Sequence, residues 1–209
     1  MKQLILACLA ATALILAACE SGNEPNGAGG NNNGLWNMKV GNSWTYEVVK
    51  YNGSGMNNLS VVDTINISVT AKVIINGEEW YRFVNSNNES FLYANRDQSL
   101  WQYMEAEQKP ILVRKYPTYV GELCRNASSI YKTEGVREKM TTPAGTFECV
   151  VYSRWNEGEI ATVNGIKDIY CYCPGNGLTV YKRITDISYG GGRADTLWVE
   201  NRLIGHNIK

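Results

Sequence analysis

Past residue 35, apolar and polar side chains alternate with a period of two in nearly every segment. Trp44, Tyr46 and Val48 alternate with Thr45, Glu47 and Val49, and Ile65, Ile67, Val69, Ala71 and Val73 with Asn66, Ser68, Thr70 and Lys72. This is the pattern of an extended strand with one covered face and one wet face. A helix needs its own period held for about a dozen residues, and no stretch past residue 35 holds one. Met104–Glu107 can make a single turn before Pro110. Asn76-Gly77 separates the second run from Glu78–Val84 and is a strong hairpin signal, because both residues tolerate positive φ. Further strands are predicted around Phe91–Ala94, Leu100–Tyr103, Ile111–Tyr116, Val136–Thr141, Phe147–Trp155, Ile166–Cys173 and Leu178–Ile187, with Thr196–Ile204 last, after Gly190-Gly191-Gly192. Tyr119–Ser129 gives no clear pattern. Short turns make consecutive strands antiparallel. A sheet of about ten strands with one apolar face must curl or close to bury it. The expected fold is mostly β: an antiparallel curved sheet, half-barrel or barrel, with a β-sandwich as the alternative.

The beginning of the chain reads differently. A positive start at Lys2 leads into an apolar run, Leu4 to Ala18, which is shorter than the ~20 residues that span a bilayer as a helix. That is a secretory signal. It ends in Leu16-Ala17-Ala18-Cys19, which resembles the bacterial lipobox. The resemblance implies a diacylglycerol on the Cys19 sulfur, cleavage before Cys19 and often acylation of the new amino end. Two or three acyl chains make attachment effectively permanent, where one binds only marginally. Asn26 to Gly34 is almost only Gly and Asn, and the roughly 15 residues after Cys19 read as a flexible tether with a coil span of ~20 Å. The expected organisation is therefore a signal peptide (1–18), a lipidated Cys and tether (19–35) and one β domain (36–209). Glu20 follows the lipidated Cys where enteric inner-membrane retention resembles an Asp signal. Acidic residues there also resemble the surface-export signals of Bacteroidota lipoproteins. The expectation is an outer-membrane lipoprotein on the periplasmic or cell-surface face.

Lys plus Arg is 20 and Asp plus Glu is 20. A nucleic-acid binder should carry a basic excess, so no nucleic-acid partner is expected. Tyr (13) and Trp (6) far outnumber Phe (3), which suits sheets with a wet face and also binding surfaces. Past the anchor, Cys124, Cys149, Cys171 and Cys173 are disulfide candidates if export places them in an oxidising compartment. Cys171 and Cys173 share one strand face and should not bond each other. Cys149 is expected to face one of them across a strand pair, with Cys124 taking the other. The spacing lacks CxxC pairs and the chain has a single His, so no metal site is expected.

No catalytic site is expected either. His206 lies near the end of the chain, and there is no HExxH, P-loop or GxSxG segment. Carboxylate pairs among Glu157, Glu159 and Asp168, or Glu105 and Glu107, could serve a glycosidase, but solvated acids are the simpler reading. Asp63-Thr64-Ile65 and Asp195-Thr196-Leu197 resemble the Bacteroidota O-glycosylation pattern, which makes Thr64 and Thr196 candidate sites.

Three turn-rich passages carry one more resemblance: Gly41-Asn42-Ser43-Trp44-Thr45-Tyr46, Thr142-Pro143-Ala144-Gly145-Thr146-Phe147 and Cys173-Pro174-Gly175-Asn176-Gly177-Leu178. Their order is similar to that in uncharacterised envelope lipoproteins and in the lipoprotein-carrier (LolA/LolB-like) half-barrels. The resemblance implies a curved sheet able to cradle an acyl chain. Asn176 departs from the aliphatic residue of that pattern, and the extra cysteines depart from it too. Turn chemistry alone also explains the motifs, since Pro143 presets φ and Gly145 permits a positive one. The leading expectation is a membrane-anchored, non-catalytic module without a cofactor that holds a lipid or glycan ligand. The alternatives are an interaction lipoprotein with an envelope protein partner, and a hydrolase using paired carboxylates.

Overall fold

The computed structural model describes residues 34–52, 60–126, 129–156, 168–190 and 193–209, with backbone alone for 52, 184–190 and 193–197. Twelve strands follow in chain order: β1 (Ser43–Asn52), β2 (Ser60–Ile75), β3 (Glu78–Asn85), β4 (Ser90–Arg96), β5 (Ser99–Met104), β6 (Lys109–Arg114), β7 (Leu123–Asn126), β8 (Ser129–Thr142), β9 (Gly145–Asn156), β10 (Asp168–Cys173), β11 (Gly177–Gly190) and β12 (Arg193–Asn207). Among the described residues there is no helix. The strands form one antiparallel sheet in the order β6-β5-β4-β3-β2-β1-β12-β11-β10-β9-β8-β7. Each strand pairs with its neighbour in sequence, and β12 pairs with β1. Only the step from β6 to β7 lacks a ladder, so the sheet is a nearly closed barrel, not a sandwich.

The open seam has a sequence cause. Pro110 in β6 has no N–H to give a further strand, and proline is tolerated on such an edge. β7, which the alternation did not reveal, has only four residues. Across the gap, Asn126 Nδ2 donates to Leu112 O at 2.8 Å. Residues 105–108 form a hairpin turn, with Gln108 at φ 50°, where one helical turn was expected.

Alternation assigns the faces. Trp44, Tyr46, Val69, Phe83, Leu100, Val150, Tyr152, Tyr172 and Leu203 form the interior core. On the outward face, Arg202 pairs with Glu47 at 2.7 Å and Lys182 with Glu200 at 3.2 Å. Charges in mid-strand on that face are suited to water, not to lipid.

Leu35, Trp36 and Met38 enter the barrel as a plug and join this core. The Trp36 ring lies 4.7 Å from Phe83, 5.4 Å from Trp44, 5.8 Å from Tyr93 and 6.0 Å from Tyr172. Asn95 Nδ2 donates to Trp36 O at 2.7 Å, and Gly175 N donates to Gly34 O. Gly34 and Leu35 are buried with them.

The three turn motifs close this plugged end. Trp44 Nε1 donates to Asn176 O at 2.7 Å and Tyr46 OH to Leu178 O at 2.8 Å. Ala144 N, at the tip of the β8–β9 hairpin, donates to Leu203 O. A Cβ on Gly177 would lie 2.2 Å from the Trp36 ring, and its φ is +94°, so only glycine fits. Their role is packing.

Candidate functional site

The other end of the interior is not filled. A cavity of about 310 Å³ lies between the β4–β6 wall and the β7–β10 wall. Tyr93, Gln102, Met104, Ile111 and Val113 line one side. Tyr131, Arg154, Tyr170 and Tyr172 line the other, and Arg114 reaches across. Two of the lining rings, Tyr93 and Tyr172, also pack against Trp36 of the plug.

Arg114 is there because of a β-bulge. Trp101 pairs with Leu112 but Leu100 pairs with Arg114, leaving Val113 as the extra residue. Strict alternation would send Arg114 outward after inward Val113. The bulge turns it to the interior beside Leu100, as bulges re-aim side chains. There it is 2 % exposed. Its guanidinium is sandwiched between Tyr170 at 4.0 Å and Tyr131 at 4.1 Å, with Tyr152 and Tyr172 at 5.7 Å. Nη1 donates to Val113 O at 2.5 Å, while Nε is buried without an acceptor. Desolvated arginine–aromatic contacts contribute ~2 kcal/mol each. The effective penalty for burying an ion is several kcal/mol. The rings therefore offset the burial in part, and among the described residues no carboxylate is paired with it. Burial pushes the Tyr93 phenol up to about 12 and the phenols of Tyr152 and Tyr172 well up. All three stay protonated at neutral pH and supply no counter-charge.

The nearby acid is already engaged. Asp168 accepts from Arg154 Nη1 at 2.9 Å, Tyr181 OH at 3.0 Å and Tyr170 OH at 3.4 Å, and Arg183 Nε lies 3.9 Å away. Register builds the cluster: Tyr131 faces Arg154 on β9, Arg154 faces Asp168 on β10, and Asp168 faces Arg183 on β11. Asp168 is buried and ion-paired, which corrects its reading as a solvated acid. Glu105 and Glu107 stand exposed in the β5–β6 turn. Glu157 and Glu159 lie outside the described residues. The described cavity lining contains no carboxylate.

Cys149, Cys171 and Cys173 gather on the outward face with Val180. Cys149 Sγ lies 3.1 Å from Thr179 Oγ1. Cys124 faces the interior, in register with Tyr131. β8 stands between the strand of Cys124 and those of the other three. All four are free thiols. Burial pushes Cys149 and Cys171 up to about 12, which leaves them protonated and inert. Thr64 is exposed on β2 and Thr196 lies on β12, facing Ile187 in the ladder. His206 is exposed on β12, its ring 6.3 Å from Phe147. Cys19 lies outside the described residues.

Sequence reasoning missed Arg114, which falls on the polar phase of its strand; a bulge leaves no mark in alternation. The Tyr170, Tyr172 alternation was the one legible signal of the cage.

No protein-family profile matches the chain, and no curated protein matches it in sequence. Two solved structures resemble it. One, from Parabacteroides distasonis ATCC 8503, is described as a lipoprotein: TM-score 0.46, 12% identity, covering 85% of this chain and 100% of that one. The other, from Bacteroides fragilis NCTC 9343, is described as an exported protein with a YmcC-like fold: TM-score 0.46, 11% identity, covering 82% and 98%. Neither is described as a lipoprotein carrier. At this similarity no residue or activity is carried across from either.

Proposed function

We propose that this chain is a lipid-anchored envelope protein, held at the outer membrane through Cys19, whose barrel is a non-catalytic binding module. The observation that carries the reading is the cavity of about 310 Å³ at the unplugged end, walled by four tyrosines. Its size lies at the small end of ligand pockets, which run ~300–1,000 Å³. Tyrosine offers an apolar face and a polar tip, which suits a lipid or a glycan. The lipobox resemblance supports the location. Asp168 holds the buried structure together and is not free for hydrolysis.

The test is native mass spectrometry of full-length protein extracted from membranes in mild detergent. A small-molecule adduct is expected, and it should vanish in Val113→Trp, which fills the cavity. A bare protein mass, with no thermal shift on adding lipid and glycan extracts, would refute the reading.

A second reading, an interaction lipoprotein with an envelope partner, is favoured by exposed Tyr119, Val120 and Leu123 beside the seam. Crosslinking in intact cells should then trap a partner that Leu123→Lys releases.

A further inference from the structure

We infer that the cavity takes an anionic ligand, a carboxylate on a short apolar stem, with the carboxylate paired to the guanidinium of Arg114. This deepens the binding reading and rests on it. Three observations meet. Arg114 is buried with an unpartnered Nε, and it lines an open cavity. Asp168 cannot neutralise it, because Arg154 and Tyr181 already occupy that carboxylate. Ile111, Val113 and Met104 supply an apolar wall beside the cation. Arginine's planar fork matches a carboxylate edge-on, giving a charge-assisted pair with two donors. Among the described residues the cavity lining holds one guanidinium without an acid partner, which a monoanion balances, whereas a phosphate dianion would leave charge in excess. The cavity holds about ten waters' volume at ~30 Å³ each, which sets a ligand of about ten heavy atoms.

Octanoate has that size and chemistry. Its binding to full-length protein in detergent is measured by titration calorimetry beside octanol and octyl phosphate. Octanoate should bind at least tenfold tighter than octanol, the loss expected when a charge-assisted pair is missing. Arg114→Met keeps the volume and removes the charge; it should abolish that preference while octanol binding changes less than threefold. Arg114→Lys keeps the charge without the fork and should retain only part of the preference. Replacing a buried charge by an apolar isostere is often neutral or stabilising, so the Met variant should fold, as checked by circular dichroism. Equal binding of octanoate and octanol, unaffected by Arg114→Met, overturns the anion inference and leaves the cavity reading standing. Tighter binding of octyl phosphate overturns the carboxylate class. Binding of none of the three removes the cavity reading itself.

Discussion

Replacing Trp36 by alanine tests whether the plug holds the barrel together. Trp36 is buried against four aromatic rings. Truncating a buried tryptophan costs about 3–5 kcal/mol. Its Nε1 is buried without an acceptor, so its removal relieves about 1 kcal/mol or more. A net loss of about 3 kcal/mol is expected. Gly177→Ala attacks the same contact from the other side. The new methyl would sit 2.2 Å from the indole, and such overpacking costs about 1–3 kcal/mol. The left-handed backbone adds about 1 kcal/mol, so this variant too should lose about 3 kcal/mol. In the double variant the methyl enters the space that the indole left, and the loss should be about 4 rather than 6 kcal/mol. Urea unfolding of the full-length protein, followed by circular dichroism, reads these values. With a slope of about 1–3 kcal/mol/M, each single change should lower the midpoint by roughly 1–3 M. A loss below about 1 kcal/mol for Trp36→Ala, or strict additivity of the two changes, would refute the plug.

Asp168→Asn should cost about 2 kcal/mol. That is less than the 3–5 of a fully buried broken pair, because Arg154 keeps a third of its side chain in water. Calorimetry should show Tm lower by about 4–8 °C, and an unchanged Tm would sink the idea. Stability should fall at high pH. Cys149 and Cys171 hold their protons to about 12 when folded, against an ordinary 9.0, so above pH 9 the unfolded chain binds fewer protons. The contribution is whole below pH 9 and is lost as pH rises toward 12; a urea midpoint that stays level from pH 8 to 11 would contradict it. Cys19→Ala should release the protein from the membrane pellet, and mass spectrometry of the native protein should find fatty acid at that residue. An unlipidated native protein would end the account of location.

The barrel class was legible because alternation is local: each of the long strands shows which face it buries. Turn chemistry was legible for the same reason at Asn76-Gly77, where both residues take positive φ. β7 was not, because four residues on an edge are too few to show a period. Arg114 was hidden by a bulge, which depends on what the neighbouring strand offers. The plug was hidden because Leu35 and Trp36 follow a Gly/Asn tract and gain their burial from Phe83, Tyr93 and Gly177, far along the chain. Interior cavities are likewise sums over distant strands, so only the tyrosine richness hinted at one.

The first strand made is the partner of the last. β1 lies in register with β12, and its Trp44 and Tyr46 wait for carbonyls at Asn176 and Leu178. Such sequence-distant pairing slows folding. Trp44 and Tyr46 therefore complete their hydrogen bonds only after the chain as far as Leu178, more than 130 residues on, has been made.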